Sequence, residues 1–383
     1  MALAAVVIAV AGFAYLRTTS TGQLAVVPGP VDPTFFTSTP ADYAFVTSSI
    51  GWASLVVVPS SGGGQFRVFR TVDGAKHWQQ QLAGQSRPEL TPGSYAPITV
   101  QFFGETHGFM TIGGPIAELY RTIDGGAHWV SVPLPSLTID TITFSDASNG
   151  WLSGSLTSTT RQVPRLFVTH DAGDSWTRLP DPPADAAGLS FRRPTEAWMG
   201  GFGAGPPHVY TSSDAGQSWL QHDLPAPAGG SWAPDRYFPD FPTRIQLLPR
   251  VGAIASVEAI RCVAVSASPQ TTTCANATSE SFLFRSGDGG NTWTQVPSPP
   301  GVVAYQDTIH WWATSTNALF KSMNAGQSWK QVATIPPDRQ FSVPGIVDST
   351  HAWASLFVMG GYGLALTNDG GLHWRLATVP KPV

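Results

Sequence analysis

Charge is scarce in this chain of 383 residues: Asp, Glu, Lys and Arg make up 12% of it, and the formal balance is −4. Surface helices usually draw on Lys, Glu and Arg for their outer faces, so the scarcity argues against a mainly helical protein. Without a basic surplus, nucleic acid is excluded as the expected partner. No long run of like charge marks a disordered tail. Cysteine is nearly absent as well, with only Cys262 and Cys274. No His, Cys, Asp or Glu lies between them to complete a zinc site. What is plentiful is Gly (39) and Pro (33), about a fifth of the chain, which points to many turns.

The longest apolar start is also short. Met1 to Leu16 carry no charge, but as a helix they would span roughly 24 Å against a hydrocarbon core of about 30 Å. The length suits a secretory signal core, although basic residues before it are missing and the first cation, Arg17, follows it. A buried core helix is the alternative. The stretch Thr18 to Gly22 reads as an exposed tether, so residues 1–17 are expected to be a signal or anchor. Residues 18–40, with Pro28, Pro30, Pro33 and Pro40, are expected to be a linker. The chain would then be extracytoplasmic, secreted or tethered, with membrane contact only through this segment. An oxidising compartment makes a Cys262–Cys274 disulfide the expected state, with two free thiols as the alternative.

From residue 41 to 383 one phrase organises everything. It reads hydroxyl, spacer, acid, two residues, then tryptophan a few positions on, and it occurs seven times. The acid position holds Asp73, Asp124, Asp171, Asp214, Asp288, Asn324 and Asp369. The intervals are 51, 47, 43, 74, 36 and 45 residues, one of them long. Before each box comes an apolar stretch, a polar turn, and a slot holding Trp52, Phe109, Trp151, Trp198, Cys262, Trp312 or Trp353. A third strand enters the box and a fourth starts at its tryptophan. Alternation and β-branched content give four strands per period, and a period near 40–50 residues points to a propeller. The fold expected is therefore all-β, a seven-bladed β-propeller of four-stranded antiparallel blades.

Within the box, hydroxyl and carboxylate replace ladder hydrogen bonds lost where the strands part. Glycine two after the acid suits a left-handed backbone. The first copy has Gly74-Ala75, so its turn is expected to differ slightly. The tryptophan lies under its own hairpin with its N–H directed at a backbone carbonyl. Each box offers one carboxylate, too few for calcium, and Asn324 replaces it in one copy. These acids are read as structural, and no metal or cofactor is expected.

The pattern S/T-x-D-x-G-x-x-W resembles the Asp-box, or BNR repeat, of sialidase-like propellers, and the copies cover nearly all of residues 45 to 376. The same box occurs in sialidases, sortilin-type receptors, some endoglucanases and photosystem II stability/assembly-factor-like proteins. The chain looks most like the last group and related bacterial proteins. The resemblance implies a fold and not an activity. For a sialidase it would imply three arginines, a Tyr–Glu pair, an acid–base Asp and an early Phe/Tyr-Arg-Ile-Pro motif. The nearest match, Phe66-Arg67-Val68-Phe69, lacks the proline and enters the first box. The other members cannot be placed on this sequence.

Glu105, Asp146, Glu196 and Asp348 fall in the turn between the first two strands, expected on the same face as the boxes. Arg192 and Arg193 read as solvated. Trp311, beside Trp312, should face the other side of its sheet and fill an inter-blade gap. The long interval holds Trp232, Asp235, Arg236, Tyr237, Phe238, Asp240 and Arg244, a loop expected on the opposite face. These seven are the candidate binding residues, with packing of the aromatics on the ring as the alternative. The function expected is a non-catalytic, monomeric scaffold that binds protein or glycan. A sialidase-type exo-glycosidase is the competing reading.

Overall fold

The computed structural model describes residues 42–57, 65–84, 98–112, 117–157, 162–201, 205–228, 230, 232, 237–239, 243–248, 252–261, 264–268, 271–275, 278–297, 299–358 and 361–381. The segment 1–41 and Cys262 lie outside these residues, and so do the expectations of an anchor, a linker and a disulfide.

The chain is a seven-bladed β-propeller, each blade a contiguous antiparallel sheet. Blade 1 runs through Asp42–Phe45, Gly51–Val57, Gln65–Thr71 and Gln79–Ala83. Blade 2 is Ile98–Phe103, His107–Ile112, Glu118–Thr122 and Val130–Val132. Blade 3 is Thr138–Phe144, Gly150–Thr157, Gln162–Thr169 and Thr177–Arg178. Blade 4 is Ala186–Arg193, Glu196–Gly201, His208–Ser212 and Leu220–Asp223. Blade 6 is Val302–Tyr305, Trp311–Thr314, Ala318–Ser322 and Lys330–Thr334.

Two blades depart from the pattern at the first strand. In blade 5 it is split into Tyr237–Pro239 and Arg244–Leu247, both paired with Ala253–Arg261, and Thr278–Ser286 and Thr294–Val296 complete the sheet. In blade 7 it is split into Arg339–Phe341 and Gly345–Ile346, both paired with Ala352–Val358, followed by Gly361–Thr367 and Arg375–Ala377. First strands of blades 1 and 2, 3 and 4, 4 and 5, and 6 and 7 touch one another, which makes the first strands the innermost.

The slot aromatics explain why sheets become a ring. Trp52 of blade 1 stacks on Phe102 in the first strand of blade 2, with centroids 3.5 Å apart. Phe109 stacks on Phe144 at 3.5 Å, and Trp151 on Phe191 at 3.4 Å, each reaching the next blade. A large flat face from one second strand thus covers the first strand of its neighbour, burying apolar area along each seam. The last seam closes in the same way. Trp353 packs against Tyr43 at 5.9 Å and Phe45 at 6.3 Å, and the Trp78 Nε1–H donates to the Thr378 carbonyl at 2.7 Å. No strand is shared there: side chains and one backbone hydrogen bond, from the Thr378 N–H to the Ala75 carbonyl at 3.2 Å, join blade 7 to blade 1 among the described residues. Trp311 is buried against Leu248, Ile254 and Val296 of blade 5, filling the gap as alternation required.

One slot was misplaced by sequence. The box residue Ser286 pairs with Ala253, so the slot opposite Arg285 belongs to Ile254 and not to Cys262. A separate two-stranded hairpin, Ala264–Ser268 with Thr271–Ala275, stands between the second and third strands of blade 5. Its inserted length carried the spacing argument past the true slot.

All seven boxes share one geometry. In blade 2 the Thr122 hydroxyl donates to Asp124 Oδ1 at 2.9 Å and accepts the Gly126 N–H at 2.9 Å. The His128 N–H reaches Asp124 Oδ1 at 2.9 Å, and its ring Nδ1 lies 2.6 Å from Oδ2. In the sixth box, Asn324 makes the same turn, accepting the Ser328 N–H at 2.9 Å and donating to its hydroxyl at 2.9 Å. The first box does not differ. Ala75 takes a left-handed φ of 61°, alongside Gly74 at 71°. Ala172, Ala215 and Ala325 are left-handed one place earlier, so each box holds two successive left-handed residues. The tryptophans are less uniform than expected. Trp78, Trp293 and Trp374 donate to carbonyls, whereas the Nε1 atoms of Trp129, Trp176, Trp219 and Trp329 are buried without a partner.

Left-handed alanine costs about 1–2 kcal/mol, partly offset by the greater unfolded-state freedom of glycine. Ala215→Gly is therefore expected to raise stability by about 0.5–1 kcal/mol in urea unfolding. Ala75→Gly should gain less, because Ala75 is fully buried between blades 7 and 1 and its methyl contributes about 0.8 kcal/mol. Equal gains at both positions would contradict this account.

Candidate functional site

The boxes fix which face is which. In six of the seven boxes the N–H after the Asp or Asn donates to the turn between first and second strands: Gly74 to Ser49 (2.9 Å), Gly125 to Thr106 (2.8 Å), Ala172 to Ser148 (2.8 Å), Ala215 to Thr195 (3.0 Å), Ala325 to Ile309 (2.9 Å) and Gly370 to Thr350 (2.8 Å). Both turns therefore open on one face, as expected. The acids there are turn parts: Asp146 caps the Ser148 and Asn149 N–H groups, and Asp348 those of Thr350 and His351. Box carboxylates are held low by their donors, the His128 N–H for Asp124 and the Ser175 and Ser218 hydroxyls for Asp171 and Asp214, each at about 2. A group that stays ionised this strongly is a poor proton donor.

The opposite face carries the second-to-third turns, the inter-blade connections and the outset of the innermost strands. Trp232 is half-buried there. Its ring stands edge-on to Phe282 at 5.4 Å and its Nε1–H donates to the Pro225 carbonyl at 2.9 Å. It belongs to the seam between blades 4 and 5, which also buries Trp198, Leu224 and Phe284. Packing is thus what the structure assigns to Trp232. Tyr237 and Phe238 lie on the upper piece of the split first strand, opposite Arg261 and Ile260. Arg244 opens the lower piece, is 58% exposed, and lies 3.6 Å from Glu258. Asp235, Arg236 and Asp240 lie outside the described residues.

The expected loop is therefore partly sheet. Between its two pieces the chain crosses to blade 4, where the Thr243 N–H donates to the Gly201 carbonyl at 3.2 Å. Gly200 permits this approach, since a Cβ there would fall 1.5 Å from the Thr243 carbonyl oxygen. Arg192, expected to be solvated, is another tie between these blades. Its side chain is 9% exposed, 3.4 Å from Glu196, and its Nη2 donates to the Gly252 carbonyl at 2.7 Å. A pair of adjacent arginines gives no sequence signal of this kind; only the partner blade decides it.

Two further features escaped the sequence. Asp42 opens the innermost strand of blade 1, and its Oδ2 accepts the Val100 N–H of blade 2 at 2.9 Å. Burial pushes its carboxyl up to about 6, against the lowering effect of that hydrogen bond. The folded pKa exceeds the unfolded one, so folding is favoured while Asp42 is protonated, and that advantage is lost as pH rises from about 4 to 6. Asp42→Asn should then stabilise the ring by about 1–3 kcal/mol at pH 7 and leave it nearly unchanged below pH 4. Urea unfolding at both pH values checks this; a gain that does not depend on pH would refute it.

The second feature is a polar network at the start of blade 4. Asp185 accepts from the Tyr210 hydroxyl at 2.8 Å and lies 3.1 Å from His208 Nε2, while His208 Nδ1 sits 3.0 Å from the Pro206 carbonyl. A tyrosine–carboxylate pair invites comparison with a nucleophile, but Tyr210 is buried between blades 3 and 4. Desolvation, then the bond to Asp185, pushes its hydroxyl up to about 12. That is the wrong direction for a nucleophile. The network ties the entry to blade 4 to the third strand of that blade.

No protein-family model and no curated protein matches the chain. Among solved structures it is similar to YCF48 from Cyanidioschyzon merolae, with 16% identity, TM-score 0.52, and coverage of 90% of this chain and 98% of that one. It is also similar to a PL25 polysaccharide lyase, an ulvan lyase, with 12% identity, TM-score 0.50, and coverage of 90% and 97%. At these identities the likeness is one of fold. A ring shared by a lyase and by YCF48 does not fix an activity.

Proposed function

We propose that the chain is a non-catalytic, extracytoplasmic binding scaffold whose contacts with a protein or glycan are made on the face opposite the boxes, beside blades 4 and 5. An assembly-factor-like role fits this reading. One observation carries it: the ring's rhythm breaks there, where the split first strand of blade 5, the exposed Arg244–Glu258 pair and the inserted hairpin stand together. Irregular segments on a rigid ring are where recognition concentrates, because the scaffold holds them without ordering cost. The chemistry of the described acids also favours binding over hydrolysis, since the box carboxylates are held ionised and the Tyr210 hydroxyl is buried with its pKa raised.

The test uses photo-crosslinking residues at position 244 and, as a control on the box face, at position 213. Both variants are presented to extracytoplasmic protein extract and to a glycan array. Crosslinks at 244 and none at 213 are expected, and Arg244→Glu should weaken capture. Capture at 213 alone would place binding on the wrong face. Turnover of a fluorogenic sialoside by the purified chain, abolished by acid-to-alanine changes on the face opposite the boxes, would overturn the non-catalytic reading.

A further inference from the structure

A buried imidazole shows which protons a fold demands, because each ring nitrogen must match the group it faces. His208 opens the third strand of blade 4 and is 6% exposed. Its Nδ1 lies 3.0 Å from the Pro206 carbonyl, and its Nε2 lies 3.1 Å from Asp185 Oδ2. Both partners are oxygens that accept. The other oxygen of Asp185 already takes the Tyr210 hydroxyl at 2.8 Å. A ring with two N–H groups satisfies both contacts, whereas a ring with one sets a bare nitrogen lone pair against an oxygen. The box histidines are not constrained in this way. His128, with its side chain 88% exposed, pairs one nitrogen with Asp124 and leaves the other to solvent.

The groups around the ring are acidic. Asp185 faces it from the entry to blade 4, and Asp223 stands opposite it on the fourth strand. Tyr210, two residues along the same strand, stands edge-on at 5.2 Å. On blade 3, Arg165 and Arg178 are held by Asp181. The second strand contributes Gly201, and the ring lies against it: an added Cβ there would fall 2.0 Å from His208 Cδ2. Gly201 pairs with Ala186, the residue after Asp185, and its carbonyl accepts the Thr243 N–H of blade 5 at 3.2 Å. Thr243 is 2% exposed and leads directly into Arg244 of the split strand.

We propose that His208 is a proton-operated clamp on the junction between blades 4 and 5. With two ring protons it binds Asp185, the Pro206 carbonyl and Gly201 into one unit that seats Thr243. With one proton it releases Asp185 and loosens that seat. An imidazole gives up its second proton near neutral pH, so the junction is firm in acid and slack in mild alkali. The clamp thereby sets how firmly Arg244 is presented. That consequence rests on the reading of this face as the binding surface; the proton-dependent contact itself does not.

Amide hydrogen exchange of the full chain at pH 5.5 and pH 8.5, corrected for the intrinsic pH dependence of exchange, tests the clamp. Segments 186–193 and 243–247 should lose protection by about fivefold or more at pH 8.5, and Ala318–Ser322 of blade 6 should not. Asp185→Asn is the decisive variant. Its amide oxygen still accepts the Tyr210 hydroxyl, while its NH2 group donates to a ring nitrogen that has no proton. Both segments should therefore be best protected at pH 8.5 in this variant, the reverse of wild type. Equal protection at both pH values in wild type, a loss shared by blade 6, or a wild-type profile in Asp185→Asn each overturns the proposal. Crosslinking at position 244 in the same two buffers separates the clamp from the binding role. Capture that falls at pH 8.5 in wild type but not in Asp185→Asn supports regulation, and equal capture overturns it. Absence of capture at both pH values overturns the binding reading alone, and the exchange result still decides the clamp.

Discussion

Trp52→Ala should destabilise the propeller by about 3–5 kcal/mol, the range for removing a fully buried large aromatic. The residue has no exposed surface, stacks on Phe102 of the next blade and donates its Nε1–H to the Gly125 carbonyl at 2.9 Å. Three losses therefore coincide: apolar area, a cavity at the seam, and a buried carbonyl left without its donor. The Arg70 guanidinium, 5.4 Å from the ring centroid, loses its aromatic face too. Urea unfolding gives the size of the effect. Trp52→Phe should retain part of the stack but not the hydrogen bond, and so fall between wild type and alanine. A loss below 1 kcal/mol for the alanine variant would mean that the seams do not hold the ring as described.

Gly200→Ala adds a single methyl group and should still rank among the most damaging changes available. The new Cβ would lie 1.5 Å from the Thr243 carbonyl oxygen and 2.6 Å from its carbon. Backbone cannot rotate aside as a flexible side chain can, so the two blades must part or the Thr243 crossing must lift. Overpacking typically costs about 1–3 kcal/mol, and a backbone clash belongs at or above its upper end. Amide exchange should localise the damage to 243–247 and 253–257, with blades 1 and 2 unaffected. If the variant melts like wild type, the split strand is not docked on blade 4. A useful contrast is Gly188→Ala, where nothing lies within 4 Å of the added atom and only the left-handed φ of 67° opposes it.

These two sites differ in how far the sequence announces them. A bulky aromatic like Trp52 fills the second-strand slot before six of the seven boxes, and that repetition exposes its role without coordinates. Gly200 has no such signal, because its significance lies in a carbonyl more than forty residues away. The same division runs through the candidate site. Spacing placed Arg244 in the segment where the ring's rhythm breaks, but could not separate loop from split strand. It assigned the second-strand slot of blade 5 to Cys262, since an inserted hairpin shifts every count that follows it. Trp232 looked available for recognition until the seam between blades 4 and 5 claimed its ring.

What the sequence determined by itself was the repeating unit: four strands, a hydroxyl–acid clasp and a tryptophan, seven times over. Those features are local. Each depends on residues within one period, and a period-two pattern or a turn signature survives being read one residue at a time. Only the tertiary structure decided how the units meet. Ring closure by Trp353 against Tyr43 and Phe45, the burial of Arg192, and the raised carboxyl of Asp42 all arise between blades. Burial and its electrostatic consequences depend on what the neighbouring blade brings, and no window of one period contains that neighbour.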